Sequence, residues 1–369
     1  MIVTIGAAGV AMGTWLLGRP QRLRPASSIP SHVQVSVIIP ARNEAATLPR
    51  LLASVAALRP APDEVIVVDD DSDDGTTDVA NAFGATVIRS QPPVGWLGKT
   101  YACHVGARAA TGSHLLFLDA DVWLAPRSLA MLTAEHALRS GLVSVQPYHT
   151  PRAYYEELSA YCNAVAMMGT GAFSPRRPAK PVAFGACLFS SAAEYQRAGG
   201  HDAVRHELLE DVALARRYSE RGLPVSCFAG ADHIRFRMYP GGVRQLVEGW
   251  TKNIASGATA ADRVAVGGTV LWVSAHVAVA VSAGAGIAGS VLTRSGLPRG
   301  GLAAWALIAV HQRWLLGRIG SFRVSTAVGF PIPLTAFLAI FTRSAVLTGW
   351  RRTVTWRGRS IPLPSRERR

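Results

Sequence analysis

Leu115-Leu116-Phe117-Leu118-Asp119-Ala120-Asp121-Val122 decides the fold. Four apolar residues in a row read as a buried central strand, and they run directly into two carboxylates one residue apart. In an extended segment the i and i+2 side chains point the same way, so Asp119 and Asp121 can face one ligand. Open α/β sheets bind ligands at the carboxyl ends of their strands. Two hard oxygen donors there suit Mg²⁺ or Mn²⁺ sharing its coordination with a diphosphate. An isolated Asp-x-Asp would read as a solvated strand end. The neighbouring segments argue against that here.

Upstream, Val35-Ser36-Val37-Ile38-Ile39-Pro40 and Glu64-Val65-Ile66-Val67-Val68 are two further buried strands. The first leads into Ala41-Arg42-Asn43-Glu44, the second into Asp69-Asp70-Asp71-Ser72-Asp73-Asp74-Gly75-Thr76. Taken alone, that acidic run reads as a turn with a helix N-cap at Ser72 or Asp74. Helices are expected over roughly Thr47 to Leu58 and Lys99 to Ala110, with a short strand from Ala85 to Arg89. The alternation predicts an α/β fold with a doubly wound, mostly parallel sheet and right-handed crossovers. Neither Gly-x-Gly-x-x-Gly nor Gly-x4-Gly-Lys-Ser/Thr follows the first strand. Diphosphate charge therefore falls to a metal and to side chains.

Of the 369 residues 49% are apolar and 17% charged, below the roughly 25% charged that is usual for soluble domains. That deficit predicts membrane segments. The formal net charge is +14, with 38 Lys and Arg, most of them arginine. No aromatic-basic RNA motif and no helix-turn-helix pattern supports a nucleic-acid partner. Anionic lipid and a nucleoside diphosphate account for the excess equally well. Cys103, Cys162, Cys187 and Cys227 form no CxxC pair and read as reduced, mostly buried thiols without structural zinc.

Both ends of the chain are apolar. Ile2 to Leu17 is uncharged and is followed, not preceded, by Arg19, Arg22 and Arg24. This reads as an uncleaved anchor with the rest of the chain cytoplasmic, or as an interfacial helix, since it is short for a span. A proline- and serine-rich linker follows. Val264 to Leu292 is long enough to span, and Leu302 to Leu316 is shorter and carries His311, Gln312 and Arg313. Ala327 to Leu347 is apolar with Pro331 and Pro333 inside, and the tail from Arg351 is dense in arginine. The expected organisation is a membrane anchor at 1–19, a catalytic domain at 33–253, membrane helices at 264–349 and a basic tail at 350–369. The number of spans stays open on charge alone.

Val35–Glu44, Val67–Thr76 and Leu116–Val122 resemble the three nucleotide-sugar motifs of inverting family 2 glycosyltransferases with the GT-A fold. Gly95-Trp96-Leu97-Gly98-Lys99 resembles the Gly-Trp-x-Gly-Lys loop of membrane-bound members, and Glu210-Asp211 resembles the family's Glu-Asp motif at a helix start. Met238-Tyr239 with Gly249-Trp250-Thr251-Lys252-Asn253 is similar to a stretch of carotenoid and related lipid glycosyltransferases, and Trp356-Arg357-Gly358-Arg359 to their closing motif. The match covers about Val33 to Asn253, with its motifs in the family's order. The Gln-x-x-Arg-Trp motif of processive synthases is not kept around Trp250, which favours transfer of a single sugar.

This resemblance implies roles for individual residues. Pro40, Arg42 and Glu44 match the first nucleotide loop, and Asp70 matches the acid that reads the base edge. Asp119 would contact ribose or sugar and share in the metal site, Asp121 would ligate Mg²⁺ or Mn²⁺, and Asp211 would be the catalytic base. Lys99, Arg237 and Lys252 are candidates for the diphosphate and could equally be surface charges or lipid contacts. Asp211 could equally be a helix-start acid favoured by the dipole. His201 and His206 have no metal-ligand spacing and are taken as structural. From Ala153 to Pro181, an apolar stretch with Tyr154, Tyr155, Tyr161, Met167, Met168 and Phe173 reads first as packing and second as acceptor binding.

The implied activity is inverting transfer from a nucleoside-diphosphate sugar, a UDP-sugar first, to a hydroxyl or carboxyl of a membrane lipid such as a carotenoid. It would take place at the cell membrane, on a catalytic domain facing the cytoplasm. A polyprenyl-phosphate sugar transferase is the alternative enzyme, and an inactive nucleotide-binding membrane scaffold is the rival of another class.

Overall fold

Val35-Ser36-Val37-Ile38-Ile39 is buried on both faces, as a strand in the middle of a helix-covered sheet must be. In the computed structural model it forms β1 (Val35–Ala41), preceded by helix α1 (Ile2–Leu17). The structure describes residues 1–28, 30, 33–176, 178–207, 209–257, 261–293, 296, 298–350, 353–356 and 359–362. It divides into two compact units, each assembled from separated stretches: Gln21–Tyr148 with Lys180–Arg237, and Met1–Pro20 with His149–Ala179 and Met238–Arg369.

In the first unit α2 (Leu48–Ala56), β2 (Glu64–Asp69), α3 (Thr76–Ala82), β3 (Thr86–Arg89), α4 (Gly98–Ala109) and β4 (His114–Leu118) follow β1. Next come β5 (Val122–Leu124), α5 (Ser128–Arg139), β6 (Leu142–Gln146) and β7 (Tyr148–His149), where the chain passes into the second unit. After helix α6 (Ser159–Thr170) there, it returns through β8 (Cys187–Ser191), α7 (Ala192–Arg197), α8 (Glu210–Glu220), β9 (Val225–Ala229) and β10 (Ile234–Phe236). The seven-stranded sheet has the order β3-β2-β1-β4-β8-β6-β9. Neighbours pair in parallel except at β8, which is antiparallel to both β4 and β6. On one face Ile38, Leu115 and Phe117 pack with Cys103 of α4, Tyr195 of α7 and Leu214 and Tyr218 of α8. The fold is thus α/β with a mostly parallel sheet, and its strand ends line up the polar loops.

The segment read as a linker is docked on this unit. The Ala229 N–H donates to the Gln21 carbonyl at 2.7 Å. Arg24 forms a forked pair with Glu135, Nε–Oε1 2.8 Å and Nη2–Oε2 3.2 Å, and Arg139 donates to the same carboxylate. Glu135 is buried, and the two guanidiniums supply the counter-charge that a buried carboxylate requires.

The second unit holds α1 and α6 together with α9 (Val243–Gly257), α10 (Arg263–Thr293), α11 (Arg299–Ile319), α12 (Val324–Val328) and α13 (Pro331–Trp350). Helices α10 and α13 are long and apolar enough to cross a membrane by length and composition; α1 is apolar but shorter. Pro331 and Pro333 stand in the first turn of α13 and not inside a helix running from Ala327. A first-turn proline lacks only an N–H that has no helical partner, so the chain breaks at Gly329 and restarts there. Most of the apolar stretch after Ala153 is core: Tyr161, Met167, Met168 and Phe173 are buried, while Tyr154 is exposed. A hairpin of β11 (Thr353–Trp356) and β12 (Arg359–Pro362) lies in the tail. Arg357 and Gly358 of the closing motif, and the arginines beyond 362, fall outside the described residues. All four cysteines are free thiols.

Candidate active site

Asp119 and Asp121 stand where β4 ends. The Val122 N–H turns back to the Asp119 carbonyl at 3.1 Å, and the Asp119 N–H donates to the Ala186 carbonyl at 3.1 Å. The corner is therefore clamped between its own turn and the segment entering β8. Burial pushes the Asp121 carboxyl up to about 8, with Asp119 and Glu44 adding like charge and Lys99 opposing. Arg237 follows β10, whose Phe236 is in register with Val122, and its N–H donates to the Asp121 carbonyl at 3.3 Å.

Lys99 lies in the first turn of α4, where a cation works against the helix dipole. Its ammonium is offset by two acids, Asp119 Oδ1 at 2.8 Å and Glu210 Oε1 at 2.9 Å. Burial lowers the Lys99 affinity for its proton, but Asp119 and Glu210 outweigh this and hold the pKa well above the usual lysine value. Burial likewise opposes ionisation of Glu210, yet Lys99 holds it below the ordinary carboxylate range. The pocket around this pair is lined by Pro40, Cys103, Phe117, Gly185, Leu188 and His201.

Asp211 is the second residue of α8. Its Oδ1 accepts the Val212 N–H at 2.8 Å, the contact of an ordinary helix-start acid. Its Oδ2 accepts the Gly185 N–H at 2.7 Å, and Gly185 lies outside that helix on the way into β8. Burial pushes the Asp211 carboxyl up to about 7; Glu210 adds to this, and Lys99 and the two N–H groups work against it. A carboxylate in this state can take up a proton near neutral pH.

The acidic run divides its labour. Asp69 accepts the Ser72 N–H at 3.0 Å and the Thr77 hydroxyl at 2.7 Å, and Asp74 accepts the Thr76 and Ala45 N–H groups at 2.9 and 3.0 Å. Those two acids build the turn. The capping carboxylate is Asp74, with Gly75 at the cap position itself, and Ser72 instead accepts the Asn43 N–H at 2.9 Å. Asp70 points elsewhere: its Oδ2 lies so close to Gly98 that a Cβ there would come within 2.1 Å. Arg42 Nη1 donates to the Asp70 carbonyl at 2.8 Å and stands 3.7 Å from its carboxylate. The Glu44 N–H donates to Thr76 Oγ1 at 2.8 Å, which ties the first polar loop to the second.

Pro40, Arg42, Glu44, Asp70, Lys99, Asp119, Asp121, Asp211 and Arg237 all belong to the first unit; Lys252, on α9, belongs to the second. Tyr239 and Asn253 of the carotenoid-type stretch meet there, with Asn253 Nδ2 donating to Tyr239 Oη at 2.9 Å. His201 is buried and bonded to Tyr195 at 2.8 Å, with burial lowering its pKa to about 4, in line with a structural residue. Sequence reading gave Glu210 no role. Only its adjacency to Asp211 hinted at one, and its Lys99 partner is far away in the chain. Gly185 carried no signal beyond its place in Phe184-Gly185-Ala186-Cys187.

Residues 36–188 match the family described as Glycosyl transferase family 2. Over 98% of this chain and 97% of theirs, the 4,4'-diaponeurosporenoate glycosyltransferases of Staphylococcus aureus strains USA300 and MRSA252 are each 30% identical to it. The fold is similar to that of a mannosyltransferase from Pyrobaculum calidifontis solved in complex with GDP-Man and Mn²⁺. The TM-score is 0.51 and the identity 20%, over 95% of this chain and 100% of that one.

Proposed function

The chain belongs to glycosyltransferase family 2, and we propose that it moves one sugar, with inversion, from a nucleoside-diphosphate sugar to a hydroxyl or carboxyl on a membrane lipid. The observation that carries this reading is the Lys99 bridge. It ties the strand-end acids to the start of α8, so that Asp119 and the neighbour of Asp211 face one pocket.

Asp119 and Asp121 fit a divalent cation. Asp121 is half-buried beside two like charges and resists ionising, the imbalance that a cation would relieve. Among the described residues no group of three or more His, Cys, Asp or Glu side chains could hold a metal alone, so the diphosphate would complete the coordination. Bound Mg²⁺ or Mn²⁺ would supply Lewis-acid stabilisation of the leaving diphosphate. The Mn²⁺ in the Pyrobaculum structure is in keeping with this choice.

The other steps fall to the chain's own residues. Asp70 and Arg42 would hold the nucleoside, with Asp70 accepting a hydrogen bond from the base edge. Pro40 and Glu44 shape the wall beside them, and Lys99 and Arg237 would face the diphosphate. Asp211 would take the proton of an acceptor hydroxyl, or orient an acceptor already ionised as a carboxylate. Its two N–H contacts fix the direction of attack. One displacement assisted by one base inverts the anomeric centre.

The lipid acceptor is supported by the carotenoid-carboxylate name of the Staphylococcus relatives and by the two helices long and apolar enough to span. These also support a membrane location, with the first unit on the cytoplasmic side where sugar nucleotides are made. The test is a screen of UDP- and GDP-sugars with membranes containing the full chain. Nucleoside-diphosphate release is followed, and the product's anomeric configuration is read by NMR. A retained anomer, or no release that depends on a lipid acceptor, would defeat the reading.

A further inference from the structure

One ammonium serves two acids that the fold brings from different ends of the unit. Lys99 Nζ is 2.8 Å from Asp119 at the end of β4 and 2.9 Å from Glu210 at the start of α8. An ammonium there interferes with a cation on Asp119. A metal at carboxylate-bonding distance, about 2.1 Å, would stand roughly 4 Å from an ammonium on the same oxygen. Two positive centres that close repel strongly in a half-buried site. The Lys99 side chain is 39% exposed and Asp119 32% exposed, so the contact can open to solvent, whereas Glu210 is only 13% exposed. Lysine's four-carbon stem allows the head group to leave one acid while keeping the other.

We propose that Lys99 is a resident, exchangeable cation. In the donor-free enzyme it occupies Asp119 and competes with the divalent metal. When metal and nucleoside diphosphate arrive together it leaves Asp119, keeps Glu210, and turns its charge to the diphosphate. This rests on the reading of Asp119 and Asp121 as the metal-holding acids. It assigns Lys99 a second role: the free enzyme binds metal weakly, and the metal enters as its nucleotide complex.

The test is Mn²⁺ binding to the full-length protein in detergent, read from the free-Mn²⁺ EPR signal without sugar donor, with and without UDP or GDP. Lys99→Gln should bind Mn²⁺ about ten-fold more tightly than wild type when no nucleotide is present, the scale on which a neighbouring charge moves a carboxylate equilibrium. Lys99→Arg, which keeps the charge, should stay near wild type, and the Lys99→Gln advantage should shrink once nucleotide is added. Lys99→Met serves in place of Lys99→Gln should that variant not fold. Nucleotide-free Mn²⁺ affinity that is equal or weaker in the neutral variants would overturn the proposal while leaving the metal reading intact. Asp121→Asn separates the two ideas. If Mn²⁺ binds it as well as wild type, or binds none of the proteins with nucleotide present, the metal assignment falls and the proposal with it.

Discussion

Gly185 and Asp211 touch so closely that even a methyl group on the glycine would crowd the acid. The Gly185 N–H donates to Asp211 Oδ2 at 2.7 Å, and a Cβ on Gly185 would stand 3.1 Å from that oxygen. Gly185→Ala should therefore push the carboxylate by a few tenths of an ångström, lowering kcat while leaving the donor KM near wild type. Asp211→Asn should lose about 10²–10⁴-fold in transfer yet still bind donor. Steady-state kinetics beside donor-binding titration check both, and normal transfer by the Asn variant would show the base to be misassigned.

Transfer should depend on pH through Asp211. Its working form is the ionised one, and its pKa stands near 7 because burial and Glu210 oppose ionisation. The single-turnover rate should climb with pH below about 7 and level off above it. Glu210→Gln removes the like charge and should move the inflection to lower pH. A profile flat from pH 5 to 8 would exclude this carboxyl as the base.

Stability of the metal-free protein should run the other way. Asp121 has a folded pKa near 8, against about 3.9 unfolded, so between those values the native state holds more protons than the unfolded one. Stability contributed by the protonated form is present at low pH and falls as pH rises through that window. Asp121→Asn should reduce the dependence to the part that Asp211, with its pKa also raised, contributes. It should raise the melting temperature at pH 8 by about 2–4 °C per kcal/mol recovered. It should also abolish stabilisation by Mn²⁺. Thermal scans at pH 5 and 8, with and without Mn²⁺, measure all three effects.

Gly98 and Asp70 should prove coupled. A Cβ on Gly98 would come within 2.1 Å of Asp70 Oδ2, so in Gly98→Ala either the Asp70 carboxylate or the first turn of α4, the turn that carries Lys99, must shift. The donor KM should rise and the melting temperature fall. Asp70→Ala alone should raise the donor KM and blur the choice of base, with little loss of stability. Added to Gly98→Ala it should restore part of the lost stability, because it removes the clashing oxygen. Strict additivity in a double-mutant cycle would rule out the contact as the cause.

Much of this was legible in the sequence because the signals are local. The apolar run into Asp119 and Asp121, and the alternation of strands and helices around it, mark the elements before any partner is known. The forked Arg24–Glu135 pair and the Lys99–Glu210 bridge join residues more than a hundred positions apart. No periodicity records such a pair. For the same reason the antiparallel β8 went unread: Cys187–Ser191 looks like any short buried strand, and its direction is set only by the strands on either side. The segment with three prolines and three serines reads as an extended linker, although Gln21 and Arg24 dock it through one backbone carbonyl and one guanidinium.

The place of β8 in the sheet also sets the order in which a growing chain can complete its chemistry. β6 is made before β8, yet in the sheet it has no neighbours other than β8 and β9. When synthesis has reached residue 180, β1 to β4 can already be paired, while Leu142, Val143 and Val145 of β6 still lack a strand to lie against. At that moment the Asp119 N–H has no Ala186 carbonyl to bond, and the acid corner is held by its own turn alone. The strand that closes the sheet is thus the one that completes this corner: a ribosome-bound half-protein has the polar loops after β1 and β2 but neither the Ala186 contact on Asp119 nor Asp211.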